Sequence, residues 1–334
     1  MRRRLGFLRW WVLQGALLTG AACSAVAGAK IDVPESARLA YDKSDYAKAV
    51  HELLAAAAKE PQNGDIQLLL TKSYIELQEY DAAIGSAEKA IAIDPKSSVY
   101  HEWLGKAYGE KASRASMFSA MALARKTHKE FETAVELDER NFAARQALIE
   151  YECSAPGIVG GGEDKALPEI EKLRAMDAAE WHYAAGNCRR QKKDFTAADA
   201  EFDLALRSQA KSVELIYDIG DYALKRSQAD RLIETADVGE KVSPSDPRGK
   251  FYRAIGLLLK KEKLEEAEQL LREYLRTAPR RTAYPRYATA HEWLGRLYEN
   301  KGDREAAERE YQAALRLDPR DKNAHEALKR LGKN

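Results

Sequence analysis

The sequence predicts an all-α protein, a right-handed α-solenoid of about eight helical hairpins that ends in a capping helix. Several kinds of residue recur 34 positions apart, namely Pro61 and Pro95, Ala49 and Ala83, and Gly186 and Gly220. A shared offset at chemically different positions indicates one helical hairpin copied along the chain. Stacked copies bury a continuous core through contacts between neighbours, so the 334 residues need not divide into two globular domains.

The unit over residues 64–97 shows the pattern of one hairpin. Ala83 and Ala90 lie on one face of its second helix, and Pro95 follows that helix. Small alanine side chains let two helices approach closely, and proline cannot prolong a helix. The same frame, carried along the chain, predicts units near residues 30–63, 64–97, 98–141, 142–178, 179–212, 213–247, 248–279 and 288–321, with a capping helix over 322–332.

The third unit is longer than the others. It holds about ten extra residues within 109–125, and their helical spacing predicts that both of its helices lengthen by about five residues. Met117, Phe118 and Met121 lie in this stretch. We interpret these three side chains as packing against each other, with a docking surface for a partner as the alternative.

The fourth unit contains the glycine-rich segment 156–162, which reads Pro-Gly-Ile-Val-Gly-Gly-Gly. A nucleotide-binding P-loop closes with Gly-Lys-Ser or Gly-Lys-Thr, whereas Glu163 and Asp164 follow here and would repel a phosphate. The segment therefore predicts a lengthened turn, after which the two carboxylates stabilise the positive end of the next helix. A cradle of backbone amides for an anion stays open as the alternative.

The last unit carries the most complete pattern of residues, which consists of Leu294, Gly295, Tyr298, Ala307, Tyr311, Ala314 and Pro319. This pattern resembles the tetratricopeptide repeat, in which an aromatic residue, Leu-Gly, Tyr, Ala, a second aromatic residue and Pro stand at fixed spacing. His101, Leu104 and Gly105 fit the same signature, with His in the aromatic position. The resemblance implies a scaffold that binds another protein or a peptide in a concave groove, without catalysis.

In the tetratricopeptide family the first helix of each hairpin lines that groove. The equivalent positions of this sequence give the candidate partner-binding residues Lys72, Glu102, Lys106, Glu150, Tyr183, Asn187, Arg190, Tyr217 and Asp221. Tyr183 and Tyr217 lie one repeat apart, so the resemblance implies that their rings stack side by side in the groove. Rigid aromatic rings of this kind would anchor a peptide or a helix.

The first 29 residues form a separate segment. Four arginines precede an apolar stretch over positions 10–22, and small residues that include Ala27 and Ala29 follow it. That order is typical of a secretory signal peptide cleaved after Ala27 or Ala29, and it predicts a periplasmic or secreted bacterial protein. Two alternatives attach the chain to a membrane, namely a lipid on Cys23 or retention of the apolar stretch as an anchor.

Charge and cysteine content bear on the environment of the chain. Removal of residues 1–29 leaves 50 basic and 53 acidic residues, a net charge of −3, which argues against a bulk attraction to nucleic acid. Cys153 and Cys188 remain, in the first helices of successive hairpins. We interpret them as two small buried side chains, with a disulfide in an oxidising compartment as the alternative.

No catalytic, metal or cofactor site is predicted. His-Glu-Trp-Leu-Gly occurs at 101–105 and again at 291–295, but each copy lacks the second histidine of a zinc protease helix, so the copies indicate repeat packing. The six histidines show no ligand spacing, and no serine lies in a Gly-x-Ser-x-Gly turn.

The predicted function is a non-catalytic scaffold or adaptor of the bacterial cell envelope that binds a protein or peptide. The link 280–287, between the seventh and eighth units, is basic and aromatic, and we interpret it as a solvated linker. The alternative function is a glycan-handling or enzyme-associated subunit, in which the segment 156–162 and the link 280–287 form the site.

Overall fold

The computed structural model describes residues 32–281 and 283–332. Within these ranges the chain forms 17 α-helices, one 3₁₀ turn and no β-strand, and the predicted all-α solenoid is confirmed. The predicted signal peptide, residues 1–29, lies outside the described residues. Among the described helices, none combines the length and the apolar composition that crossing a bilayer requires.

Successive helices pair into hairpins. The first four hairpins are α1 (Glu35–Asp42) with α2 (Tyr46–Lys59), α3 (Gly64–Glu76) with α4 (Tyr80–Ile93), α5 (Ser98–Ala112) with α6 (Met117–Leu137), and α7 (Phe142–Ser154) with α8 (Glu163–Arg174). The next four are α9 (Ala178–Gln191) with α10 (Phe195–Arg207), α11 (Val213–Lys225) with α12 (Ala229–Val242), α13 (Arg248–Lys260) with α14 (Leu264–Thr277), and α15 (Tyr287–Lys301) with α16 (Arg304–Leu317). The helix α17 (Lys322–Leu331) buries only small side chains and covers the end of the core.

The second helices of three hairpins begin with an aspartate at the same place in the repeat. The Asp45, Asp194 and Asp303 carboxylates accept backbone N–H groups of α2, α10 and α16 at 3.3, 3.2 and 2.9 Å. Such a cap satisfies an N–H group that has no partner inside the helix, and it contributes about 1 kcal/mol. The residue before each aspartate turns the chain with a positive φ of 61°, 62° or 76°.

A glycine of the first helix faces an aromatic ring of the second helix in three hairpins, in the pairs Gly105–Phe131, Gly186–Phe202 and Gly295–Tyr311. A Cβ atom on any of these glycines would come within 2.6 Å of the ring. The missing side chain therefore lets the two helices of a hairpin cross closely around a buried ring. This contact explains why the Leu-Gly pair and the second aromatic residue of the repeat signature occur together.

A histidine of the first helix also contacts a glutamate of the second helix. The imidazole Nδ1 lies 2.7 Å from a carboxylate oxygen in the pairs His101–Glu130, His182–Glu201 and His291–Glu310. These histidines occupy the aromatic position of the repeat signature. Both His-Glu-Trp-Leu-Gly copies therefore serve packing within a hairpin.

The third hairpin is lengthened almost entirely in its second helix. Helix α6 has 21 residues and α5 has 15, whereas α3 and α4 have 13 and 14, so the prediction of two equally lengthened helices was wrong. Met117 and Phe118, at the start of α6, are 76% and 85% exposed. Two of the three side chains that we interpreted as packing against each other are thus largely exposed to solvent.

The glycine-rich segment 156–162 folds back onto the third hairpin. Gly160 and Gly162 have φ values of 102° and 144°, which residues with a Cβ atom rarely adopt. Arg125 of α6 and Tyr151 of α7 donate hydrogen bonds to carbonyl groups of the segment at 3.4 and 2.7 Å. The segment is thus a lengthened turn fixed by the extended α6, and the two acidic residues after it lie in the first turn of α8.

Cys153 of α7 and Cys188 of α9 form a disulfide. Their Cα atoms are 5.3 Å apart, a separation typical of a disulfide bridge. The interpretation of two separate buried thiols was wrong, because the repeat frame places these two positions on facing sides of neighbouring first helices. The bridge joins the fourth and fifth hairpins directly.

The link 280–287 is packed, and it contacts the first hairpin of the chain. The Arg281 guanidinium lies 4.7 Å from the ring centroid of Tyr41 and pairs with Asp42. Tyr46 donates a hydrogen bond to the Arg280 carbonyl at 2.9 Å, across 234 residues of sequence. The prediction of a solvated linker was wrong. The contact closes the first seven hairpins into one circuit, and we call it the closure contact.

Candidate functional site

The first helices of the hairpins line the inner wall of this circuit. A cavity of about 660 Å³ lies inside it, between α1, α3 and α5 on one side and α11 with the link on the other. Its lining includes Lys72, Trp103, Lys106, Asp218 and Tyr284. Two of the predicted partner-binding residues, both of them lysines, therefore line the cavity. We call this space the inner cavity.

The two lysines of the inner cavity share one indole ring. The Nζ atoms of Lys72 and Lys106 lie 4.6 and 4.5 Å from the ring centroid of Trp103, within the range of a cation–π contact. Glu102 is 5% exposed and accepts a hydrogen bond from Lys106 at 2.5 Å. Burial lowers the pKa of Lys72, and the Glu102 charge opposes this shift. The Lys106 and Arg281 charges lower the pKa of Lys72 further.

The predicted tyrosines are buried between hairpins. Tyr183 and Tyr217 are 7% and 2% exposed, and they do not form the expected side-by-side stack. Tyr217 stacks instead on Tyr252 of the next hairpin, with ring centroids 5.6 Å apart, and Tyr183 packs on Phe202 of its own hairpin at 6.1 Å. A large ring at this position fills the space between successive first helices. Neither ring face is open to a partner here, and a binding role for the two residues stays a prediction.

The remaining predicted residues differ in their access to solvent. The side chains of Glu150 and Arg190 are 52% and 27% exposed and lie 3.4 Å apart, on neighbouring hairpins. The Asp221 carboxylate accepts the Tyr252 hydroxyl at 2.7 Å. Asn187 is 3% exposed, and its Oδ1 atom has no hydrogen-bond partner among the described residues. Partner binding by these residues stays a prediction.

Asp218 is a residue of the inner wall that the sequence-based choice of positions missed. Its carboxylate accepts the Tyr183 hydroxyl at 2.8 Å. Burial raises the pKa of Asp218 to about 6, although the Tyr183 hydrogen bond lowers it. The charges of Asp221, Glu150 and Glu214 raise the pKa of Asp218 as well. The signal in the sequence was its position three residues before Asp221, which puts both carboxylates on one face of α11.

Arg248 is the second residue that was missed. It is 3% exposed, and its guanidinium lies between the rings of Tyr217 and Tyr284, at 4.6 and 4.5 Å from their centroids. It pairs with Asp246 at 2.7 Å and with Glu214 at 2.6 Å. Arg248 therefore holds the link against α11 and α13. Three separate segments supply these contacts, so no local sequence pattern predicts them.

His128, Glu132 and Glu152 are the kind of residues that hold metal ions, and their potential ligand atoms lie within 4.8 Å of one another. Glu152 lies 3.0 Å from the Nε2 atom of His128, and Glu132 lies 3.4 Å from the Nδ1 atom. Because the two carboxylates stand at opposite nitrogens of one ring, they cannot share an ion through a single imidazole nitrogen. The group fits a buried hydrogen-bonded pair beneath the glycine-rich turn better than a metal site.

Comparisons with known proteins point to one family. The tetratricopeptide repeat family matches residues 35–98 and 288–321. Among solved structures, the chain is similar to the APC/C hetero-tetramer of Cut9 and Hcn1, with 14% identity, a TM-score of 0.49, and coverage of 88% of this chain and 54% of that one. No match was found among curated proteins.

Two bacterial structures are also similar to the chain. PilF of Pseudomonas aeruginosa has 14% identity and a TM-score of 0.44, over 80% of this chain and 97% of that one. A tetratricopeptide repeat protein of Parabacteroides merdae has 16% identity and a TM-score of 0.44, over 90% and 97%. The family matches lie at both ends of the solenoid, and the glycine and aromatic packing recurs between them. The chain carries tetratricopeptide repeats over residues 35–98 and 288–321, at the two ends of the solenoid.

Proposed function

We propose that this protein is a non-catalytic adaptor of the bacterial cell envelope that holds a partner protein or peptide in its concave groove. Tetratricopeptide repeat folds are in general scaffolds for protein–protein interaction. The inner wall is the observation that carries the proposal. Its charged side chains project into the interior from the first helices of the hairpins. Buried packing contacts fix the positions of these helices.

The wall over α7, α9 and α11 supports binding of a polar partner. Glu150, Arg190 and Asp221 stand there on three successive first helices, and each is held by a contact to a neighbouring hairpin or ring. A groove whose side chains are already ordered loses little conformational entropy when a partner docks. The mixture of charges suits a peptide or a helix that carries both signs.

Two features support the placement in the envelope. The order of residues 1–29 is that of a signal peptide, and the mature chain retains one pair of cysteines, which is bridged. Disulfides form and persist in oxidising compartments such as the periplasm, and they are rare in the cytosol. Both features favour export of the chain.

Site-specific photocrosslinking in intact cells tests the adaptor role. A photoreactive phenylalanine analogue replaces Glu150 on the inner wall in one strain. In the control strain it replaces Glu305, a side chain of α16 that is 91% exposed. We expect a discrete crosslinked protein from position 150 and none from position 305. Equal crosslinking from both positions, or none from any inner-wall position, would contradict the groove assignment.

A reporter fusion tests export separately. Residues 1–29 are joined to an alkaline phosphatase that is active only after its disulfides form outside the cytoplasm. We expect phosphatase activity from this fusion and a loss of activity when the four arginines are replaced by glutamate. A fusion without activity would rule out the envelope, and it would leave the scaffold role to be tested in the cytoplasm.

The alternative, a glycan-handling or enzyme-associated subunit, requires the glycine-rich turn and the link 280–287 to form one site. Among the described residues, the turn contacts Arg125 and Tyr151, whereas the link contacts Tyr41, Tyr46 and Arg248. The two segments thus have different neighbours. This arrangement favours the adaptor over the alternative.

A further inference from the structure

The three most exposed large apolar side chains of the described residues belong to one part of the molecule. Met117 and Phe118, in the first turn of α6, are 76% and 85% exposed, and Ile158 of the glycine-rich turn is 67% exposed. The next such side chain is Leu54, at 50%. Single exposed apolar residues are common on protein surfaces, whereas a group of them on one surface indicates contact with a partner or a membrane.

Helix α6 and the glycine-rich turn share one surface. Phe118 and Arg125 lie seven residues apart, so both point to the same side of α6, about 10 Å apart along its axis. The Arg125 guanidinium donates a hydrogen bond to the Ile158 carbonyl at 3.4 Å, which places the turn beside that side of the helix. Ala122 and Lys129 are exposed on the same side. We call the surface formed by these five residues the α6 face.

The sequence around the α6 face is basic. Residues 111–129 include five basic residues and no acidic residue, and two of the five pair with carboxylates nearby. The other three are Arg125, Lys126 and Lys129, and no carboxylate of the described chain lies within 4.0 Å of their cationic groups. Because the mature chain has a net charge of −3, this positive charge is a local feature.

Two acidic side chains stand at the edge of the α6 face. Glu132, one turn beyond Lys129, lies 3.4 Å from the imidazole of His128. Asp164 follows the glycine-rich turn, next to the exposed Lys165. The carboxylates are thus outnumbered by cations, and they lie away from the apolar residues of the first turn of α6.

The α6 face is suited to an extended surface and not to a small ligand. Helix α6 has 21 residues and α4 has 14, so the added turns make α6 about 10 Å longer. Helices that lie at a membrane surface combine apolar side chains, which enter the boundary between headgroups and acyl chains, with lysines and arginines that contact anionic lipids. The α6 face has both kinds of side chain.

We propose that the α6 face docks the protein on a bilayer that contains anionic phospholipids. Phe118 and Ile158 enter the boundary between headgroups and acyl chains, and Met117 beside them adds apolar area. Arg125 and Lys129 contact the lipid phosphate groups, where each cation near an anionic surface strengthens binding about fivefold. Docking would hold the adaptor beside a membrane through its outer surface and leave the inner cavity free.

The proposal deepens the envelope adaptor, and it rests on that function for a bilayer beside the protein. The two ideas fail separately. The reporter fusion measures export of the chain, whereas binding to vesicles is measured with purified protein and does not depend on export. Photocrosslinking from position 150 reports a protein partner whether or not the α6 face binds lipid.

Flotation of the purified mature chain with lipid vesicles tests the proposal. One set of vesicles contains equal parts of phosphatidylglycerol and phosphatidylcholine, and the other contains phosphatidylcholine alone. We expect saturable binding to the anionic vesicles and much weaker binding to the neutral ones. Binding should weaken as salt is raised from about 0.05 to about 0.5 M, because salt screens the attraction between the cations and the phosphates.

Variants test the two parts of the α6 face. Phe118→Ser should weaken binding to anionic vesicles about tenfold, because the apolar ring no longer leaves water. Lys129→Gln should weaken it about fivefold. The matched controls are Leu54→Ser and Lys225→Gln, which change exposed residues of α2 and α11 and should leave binding unchanged. Circular dichroism verifies that each variant is folded.

An environment-sensitive dye reports whether the first turn of α6 enters the lipid. Because Cys153 and Cys188 are bridged, Met117→Cys introduces the one free thiol of the mature chain. We expect the emission of a dye on this thiol to shift to the blue when anionic vesicles are added. The same dye on Leu54→Cys is the control, and its emission should not shift.

Four results would overturn the proposal. The first is no binding to anionic vesicles at about 1 mM accessible lipid. The second is equal binding to neutral and anionic vesicles, and the third is binding that Phe118→Ser leaves unchanged. The fourth is a dimer of the mature chain, seen by sedimentation velocity without lipid and abolished by Phe118→Ser, because it would assign the α6 face to a second copy of the protein.

Discussion

At the scale of single residues, the repeat depends on positions where a side chain is absent. Gly105, Gly186 and Gly295 each face a ring on the second helix of the hairpin, and the ring occupies the space that a Cβ atom would need. Not every helical glycine has such a neighbour. Gly85 in α4, for example, has no atom within 4 Å of the place where a Cβ atom would stand.

Gly105→Ala should therefore destabilise the protein, and Gly85→Ala should not. The new methyl group at position 105 would collide with Phe131, and overpacking of this kind costs about 1–3 kcal/mol. At position 85 the same change should raise helix stability by about 0.5–1 kcal/mol, because alanine loses less backbone entropy than glycine. Urea unfolding followed by circular dichroism gives both values. A midpoint that falls equally in both variants would contradict the packing argument.

Asp218 should make stability depend on pH in an unusual direction. An aspartate has a pKa of about 3.9 in an unfolded chain. Burial raises the pKa of Asp218 to about 6 in the folded protein, so the folded state holds the proton more tightly. Its contribution to stability is therefore complete at low pH and is lost as the pH rises through 6.

Asp218→Asn should accordingly gain stability over the parent protein at pH 7.5 and gain little at pH 4.5. The surrounding helices partly dehydrate the carboxylate, but its side chain still reaches the solvent of the inner cavity, so screening should keep the gain below about 1 kcal/mol. Thermal unfolding at the two pH values measures it, with Glu305→Gln as the control. A variant that is destabilised more at pH 7.5 than at pH 4.5 would contradict the repulsion among the inner-wall carboxylates.

At the scale of helices and hairpins, the fourth and fifth units are joined in two ways. Their first helices pack through a small apolar cluster that includes Ile149 and Ala184. The disulfide between Cys153 and Cys188 connects the same two helices covalently, across 35 residues of sequence. The lengthened glycine-rich turn lies between the two cysteines in sequence. The bridge therefore limits how far the fourth and fifth hairpins can separate.

Cys153→Ser should lower the free energy of unfolding by about 2–4 kcal/mol under oxidising conditions, because the bridge restricts the unfolded chain. Urea unfolding measures the loss in protein purified from an oxidising compartment. A reducing agent should lower the midpoint of the parent protein to that of the variant and leave the variant unchanged. A parent protein whose midpoint does not respond to reduction would show that the bridge is not formed.

The hairpins could be predicted from the sequence because the repeat signature is local. A leucine, a glycine and an aromatic residue at fixed spacing act within one unit, and each unit needs only its neighbours to bury its core. The unequal growth of the third hairpin could not be predicted, because helical periodicity does not say where the chain turns. Its turn lies near Ser113, so nearly all the added length falls in α6.

At the scale of the whole molecule, the closure contact has no signal in the sequence. Arg281 and Asp42 pair across 239 residues, and only the accumulated rotation of seven hairpins brings them together. The inner cavity follows from that rotation, which explains why Glu214 and Asp218 of α11 were missed. The family pattern correctly placed Lys72 and Lys106 on first helices, but it could not say what lies opposite them.

Arg281→Ala should loosen the closure contact. The variant loses the ion pair with Asp42 and the stacking on Tyr41, together about 1–2 kcal/mol. The ratio of open to closed molecules should rise about 5- to 30-fold. Energy transfer between dyes on cysteines at Leu39 and Leu317, which are 47% and 45% exposed, reports the distance.

Arg286→Ala is the matched control for this measurement. Arg286 belongs to the same link, but its partner is Asp318 of the last hairpin, 2.7 Å away, so its loss should leave the dye distance unchanged. An unchanged distance in Arg281→Ala would mean that other contacts, such as the hydrogen bond between Tyr46 and the Arg280 carbonyl, are sufficient to keep the circuit shut.

The closure contact also affects the rates at which long ligands associate and dissociate. A polypeptide with a folded domain at each end cannot pass through the closed circuit. Such a ligand could bind only after Arg281 separates from Asp42 and Tyr46 separates from the Arg280 carbonyl. Its association rate should then level off at high ligand concentration, at the rate of spontaneous opening. A short peptide could slip in from either end, and its association rate should keep rising with concentration.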